Sequence, residues 1–214
     1  MKKFYSSIGM VAVALLTAGM LTACAEEATA AFDGPAPEIG KAAPGFSVAD
    51  TNGKTHSLDQ YRGRWVVLEW LNHDCPFVRN HYDNGVMQAL QKKYAPQGVV
   101  WLSVVSSAPG KQGNFPNDKA NELTKKKKAA PHAVLVVAPG TIGRAYHART
   151  TPHMFVINPD GNVVYMGGID DQPTTSADRL KTARPHVDIA LQEAMAGKPV
   201  SVPASQPYGC NVKY

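Results

Sequence analysis

Apolar and polar positions along the chain fall into blocks that read as strands and helices in alternation. Phe46 to Asp50 and Lys54 to Leu58 flank Asn52-Gly53, a strong signal for a tight hairpin. Trp65-Val-Val-Leu-Glu-Trp-Leu71 is a mostly apolar run of strand length, as expected of a central strand covered on both faces. Pro76 suits the first position of a helix. From there Val78, Tyr82, Val86, Leu90 and Tyr94 recur every four residues, which predicts one helix ending near Pro96-Gln97-Gly98. Val99 to Val105 predicts a second buried strand, residues 117–129 a helix, and Ala133 to Val137 a third strand. Met154 to Ile157, the turn residues Asn158-Pro-Asp-Gly161, and Asn162 to Met166 form a second hairpin. Met154 and Met166 read as core. Val187, Leu191 and Met195 mark a short amphipathic helix after Pro185, with Gly197 placed to end it. The order is hairpin, βαβαβ, ββα and tail, without internal repeats. It predicts an α/β domain with a central mixed sheet flanked by helices.

The first residues change where such a domain would work. Lys2 and Lys3 precede an almost uncharged stretch from Ile8 to Leu21, too short for a membrane span and ending in small residues. Leu21-Thr22-Ala23-Cys24 then resembles the bacterial lipobox, which implies lipidation of Cys24 after removal of residues 1–23. The alternative is an ordinary leader cut nearby, with Cys24 incidental. Ala25 after Cys24 implies the outer membrane rather than the inner, with the protein facing the periplasm. Residues 24–43 are rich in Ala, Pro and Gly and read as a flexible tether. The domain is expected over 44–199 and an extended C-terminal tail over 200–214.

Charge adds little. The formal charge of +5 falls to +3 when Lys2 and Lys3 leave with the leader. The run Lys125-Lys126-Lys127-Lys128 reads as a solvated helix face, so no nucleic-acid partner is expected. Cysteine usage says more. Of three cysteines, lipidation would consume Cys24, leaving Cys75 and Cys210 in a compartment that oxidises thiols.

Four stretches together carry a family resemblance: TNGKTHSLDQYRGRWVVLEWLN, DCPFVRNHY, RAYHARTTPHMFVINPDGNVVYMGGID and QPYGCNVKY. Residues 40–214 resemble the thioredoxin-fold redoxins, the group of alkyl hydroperoxide reductases and thiol-specific antioxidant proteins. The similarity is greatest to a peroxiredoxin-like branch with a single Cys at the first position of the thioredoxin Cys-x-x-Cys. The resemblance implies a thioredoxin-like fold and puts Cys75 in the place of the attacking cysteine. Val78 stands where thioredoxin has the resolving one. Thr151-Pro152 matches the bend whose proline is cis, opposite the nucleophile. The Thr151 backbone is then expected to be free to pair with an extended substrate. Glu69 matches the buried carboxylate that moves protons. Peroxiredoxins carry a Thr where this chain has Asn72, and their reactive Cys aligns with Val78.

On this reading Cys75 caps a helix N-terminus, where the macrodipole and unpaired N–H groups favour a thiolate. His73 and His81 would help if protonated. Glu69 on a central strand should be partly desolvated, which raises a carboxyl pKa. A Cys75–Cys210 bridge would close a loop of about 135 residues, an entropic effect of up to ~5 kcal/mol. That bridge could cycle in catalysis, be permanent, or never form. The expected function is a lipid-anchored periplasmic thiol–disulfide oxidoreductase acting on thiol or disulfide client proteins, without a cofactor. Cys75 attacks, Cys210 resolves and Glu69 handles the proton. A thiol peroxidase acting on a peroxide is the second enzyme reading. A copper-binding chaperone using Cys75, His73, His81 and Cys210 is a third, and a redox-inert binding module a fourth.

Overall fold

The computed structural model describes Met1, residues 35–137 and residues 140–214. Cys24 and the expected leader lie outside the described residues. A hairpin of β1 (Ser47–Ala49) and β2 (Thr55–Ser57) forms around Asn52-Gly53. The main sheet is built from β3 (Val66–Trp70), β4 (Val100–Val105), β5 (Ala133–Val136), β7 (His153–Ile157) and β8 (Val163–Gly167). Its order is β5-β4-β3-β7-β8, parallel from β5 to β3 and antiparallel from β3 to β8. The sheet is therefore mixed, and β3 is its central strand.

Alternation along β3 assigns its side chains to two cores. Val66, Leu68 and Trp70 join Leu102, Val104, Leu135, Phe155 and Ile157 on one face. That face is closed by Ile142 and Ala145 from α4 (Thr141–Ala145), which the sequence pattern did not predict. Val67 and Leu71 lie on the other face with Met154 and Val156. They pack against residues of α1 (Pro76–Asp83), α2 (Val86–Tyr94) and α6 (His186–Met195). Helix α3 (Asn117–Lys126) packs beside β5, and α5 (Ala177–Leu180) is a single short turn.

Three expectations change. The helix predicted from Pro76 to about Gln97 is two helices, because Gly85 takes the left-handed conformation (φ 75°) between them. The period-four pattern runs across the break because both helices face the same core. Part of the expected tether belongs to the fold. Gly40 N–H donates to the Val163 carbonyl at 2.8 Å and Ala43 N–H to Gly161 at 2.9 Å. The tail is also docked: Cys210–Asn211 form β9, paired antiparallel with β6 (Thr150–Thr151).

Gly85 tests the break. Any side chain there meets open space but sits in the left-handed region, which costs an L-residue about 1–2 kcal/mol. Gly85→Ala should lower the unfolding free energy in urea by about 1 kcal/mol. Gly45→Ala, at an open position without positive φ, should stay within about 0.5 kcal/mol of the parent.

Candidate active site

Strand β3 delivers the chain to Leu71, and the loop to Cys75 is shaped by Asn72. The Asn72 side-chain oxygen accepts the Asp74 N–H at 2.9 Å, and its carbonyl accepts the Cys75 N–H at 3.0 Å. Cys75 then takes an extended conformation as the N-cap residue of α1, with Pro76 at the first helical position. Its side chain is wholly buried, and its S–H donates to the Thr151 carbonyl at 3.0 Å. Thr151-Pro152 is a cis peptide bond. Opposite Thr151 in the β6–β9 pair stands Cys210, half-buried and packed against the core that holds Cys75. The two cysteines are free thiols that meet at Thr151, one through its carbonyl and the other as its strand partner. Glycine is required just before Cys210: at Gly209 (φ 126°) a side-chain carbon would stand 2.0 Å from the Thr151 oxygen. Thr151 therefore meets the chain's own tail, so the edge expected to be free for an extended substrate is occupied.

The pair is electrostatically unequal. Burial pushes the Cys75 thiol up, but the Cys210 thiol, Thr151 and the N–H groups of Val78 and Cys210 outweigh it. The net direction is down. Burial pushes the Cys210 thiol up, and the hydrogen bond and charge of Cys75 push it further. In the singly ionised pair the charge therefore sits on Cys75, with Cys210 as its donor.

The tail is held on both sides of Cys210. The Tyr208 hydroxyl donates to Asp170, and its ring packs edge-on against Phe77 of α1 with centroids 5.9 Å apart. Beyond Cys210, Val212 N–H donates to the Arg149 carbonyl at 2.9 Å and Ala108 N–H to the Lys213 carbonyl at 2.7 Å. The Tyr214 hydroxyl donates to the Ala148 carbonyl at 2.7 Å. His81 belongs to this anchor rather than to the thiol. Its Nε2 lies 2.9 Å from Asp170 Oδ2 and its Nδ1 2.8 Å from the Phe77 carbonyl. Both ring nitrogens thus face acceptors. Burial pushes the Asp170 carboxyl up, but His81, Tyr208 and the Gln172 N–H together draw it below its ordinary value. Nothing in a tail without periodicity marked Tyr208 or Asp170 for this role.

Glu69 is wholly buried and receives four donors. Tyr82 Oη lies 2.7 Å from Oε1; Trp101 Nε1 (2.7 Å), Ser103 Oγ (3.1 Å) and Gln91 Nε2 (3.4 Å) reach Oε2. Burial still raises its pKa against all four. These bonds tie Glu69 to Tyr82 of α1, the helix capped by Cys75. Glu69 thus positions that helix. His73 is buried, with both ring nitrogens lacking a hydrogen-bond partner. Burial, then the charge of Lys127, lowers its pKa to about 4, so at neutral pH it lends Cys75 no positive charge. Among the described residues, no group of three or more His, Cys, Asp or Glu side chains could hold a metal ion. The alternative ligand set of Cys75, His73, His81 and Cys210 is not assembled. Val78 is core, and the Asn72 side chain serves the loop rather than the thiol.

A thiol at a helix N-cap, facing a cis-proline beside a mixed sheet, is a redoxin arrangement, and the AhpC/TSA family matches residues 39–166. The chain belongs to the AhpC/TSA family. As a member of this redoxin family it is an oxidoreductase. No curated protein matches it. Among solved structures it is similar to an uncharacterized conserved protein from Geobacillus kaustophilus. Identity there is 22%, with TM-score 0.69, over 83% of this chain and 92% of that one. A hypothetical protein from Sinorhizobium meliloti is similar at 22% identity and TM-score 0.67, over 84% of this chain and 96% of that one. The thioredoxin domain of a thiol-disulfide oxidoreductase from Bacteroides vulgatus is similar at 14% identity and TM-score 0.50, over 68% of this chain and 96% of that one. At these identities the likeness is one of fold.

Two predictions follow from the buried carboxyl groups of this redoxin. The Asp170 carboxyl is held down in the folded state, so its stabilisation is complete above the unfolded value of about 3.9. It is lost as pH falls through the lower folded value. Asp170→Asn should therefore flatten the acid limb of stability, read by urea unfolding between about pH 6 and 2. Tyr82→Phe removes a donor from buried Glu69 and should cost about 1–3 kcal/mol, read in the same way at pH 7.

Proposed function

We propose that the protein is a lipid-anchored periplasmic thiol–disulfide oxidoreductase whose redox pair is Cys75 and Cys210. The observation that carries this reading is the placement of Cys210 across from Thr151, whose carbonyl receives the Cys75 S–H next to cis-Pro152. Cys75 is the nucleophile of the pair and Cys210 its partner. Together they cycle between a dithiol and a disulfide as electrons pass to or from client proteins. Glu69 supports the cycle by holding α1 through Tyr82. Lipidation of Cys24 would tether the domain to the outer membrane, and the Ala- and Pro-rich segment after it supports that reading. Among the described residues, no helix is long and apolar enough to cross a membrane.

Equilibration in glutathione or dithiothreitol buffers, read by alkylation and intact mass, tests the pair. A reversible Cys75–Cys210 bridge with a potential above about −300 mV is expected. A bridge far below that value would be a structural staple, and two thiols that never pair would end the proposal. Cys75→Ser and Cys210→Ser should each abolish turnover of a reduced, unfolded disulfide protein. The anchor is tested separately: Cys24→Ser expressed with the native leader should move the protein from the membrane fraction to the soluble periplasmic fraction.

A further inference from the structure

The redox pair is not symmetrical in access. Cys75 has no exposed surface and is packed among Leu71, Val78 and Tyr82 in the α1 core, whereas Cys210 is partly exposed. The strand edge beside Cys75, at Thr151, is filled by the tail, which is pinned before Cys210 at Tyr208 and after it at Val212, Lys213 and Tyr214. Thiolates attack a disulfide in line with the S–S bond, so access decides which sulfur is struck. In a Cys75–Cys210 bridge, attack on Cys75 would have to come from the side opposite Cys210, where protein is packed. Attack on Cys210 comes from the side opposite Cys75.

We infer that exchange with a client passes through Cys210, which carries the client in a mixed disulfide, while Cys75 is the leaving group when the bridge opens and the nucleophile that closes it. This rests on the proposed redox pair and specifies which member meets the client. In the oxidising direction a client thiolate attacks the Cys210 sulfur. A client–Cys210 bond forms, the Cys75–Cys210 bond breaks, and its electron pair leaves on Cys75 as a thiolate. A second client thiolate then attacks the client sulfur of the mixed disulfide. The client disulfide forms, and Cys210 leaves as a thiolate and takes a proton from water. The client has lost two electrons and the pair has gained two. The product is a Cys75 thiolate, the charged form that its surroundings favour. The Cys75 thiol, held below its ordinary pKa, is suited to leave. Because the Thr151 edge is occupied, the client is one that presents two thiols on an accessible, flexible segment rather than one that must add a strand beside cis-Pro152.

The oxidised full chain, treated with reduced glutathione, acid-quenched at successive early times and alkylated, would be peptide-mapped for the glutathione adduct. At least tenfold more adduct on Cys210 than on Cys75 is expected. Equal labelling, or an excess on Cys75, would overturn the inference while leaving the redox pair intact. A chain that never forms the Cys75–Cys210 bridge would remove the proposed function, and this inference with it.

Discussion

The short antiparallel pairing of Thr151 with Cys210 links the two thiols, which lie far apart in sequence. It places Cys210 directly across from the residue whose carbonyl receives the Cys75 S–H. Two backbone constraints shape it: the cis peptide at Thr151-Pro152 and a glycine at 209 with φ 126°. A two-residue strand is too short to hold itself. Its position comes from anchors on either side, which bind the tail to α1, to Asp170 and to the segment leading into β6. The thiol pair is thus assembled by side chains distant from the sulfur atoms.

Asymmetry between the two sulfurs follows from their surroundings rather than from their chemistry. Cys75 gains N–H groups and a thiol donor that outweigh the cost of burial. Cys210 has a neighbour that becomes negative, and its own ionisation is suppressed. Interacting groups of this kind share one charge, and which group holds it is set by the fixed donors nearby. Burial adds a second asymmetry. The cysteine that stabilises charge is enclosed, and the one that does not is only partly buried.

A buried carboxylate sits at the centre of the same layer. Glu69 occupies a position on β3 where alternation points it into the core under α1, and an unpaired charge there would be strongly destabilising. Tyr82, Trp101, Ser103 and Gln91 come from the two neighbouring helices and the adjacent strand to supply donors. The effect is to fix α1, and with it the N-cap, relative to the sheet. His81, the residue just before Tyr82 on α1, does similar work where it joins Asp170 and Tyr208.

Family resemblance implied the cis-proline bend, while sequence alone determined the strands of the main sheet, the two hairpins and the N-cap position of Cys75. These depend on local signals: apolar runs of strand length, Asn-Gly and Pro-Asp-Gly turns, and Pro76 after an extended residue. The buried place of Glu69 was also legible, because a central strand leaves few positions exposed. Gly85 was readable as a helix break but was masked by a period-four pattern that two helices share. Tertiary structure alone decided the rest. It decided that part of the expected tether joins the fold, that His81 serves Asp170 and that His73 is neutral. It also decided that the edge at Thr151 is closed by the chain's own tail. Each of these turns on what lies across a gap of tens of residues, and local periodicity carries no information about it. The meeting of Cys75 and Cys210 at Thr151 belongs to the same class. Composition left two thiols to be placed, but only packing of the tail against Phe77, Asp170 and Ala148 set them side by side.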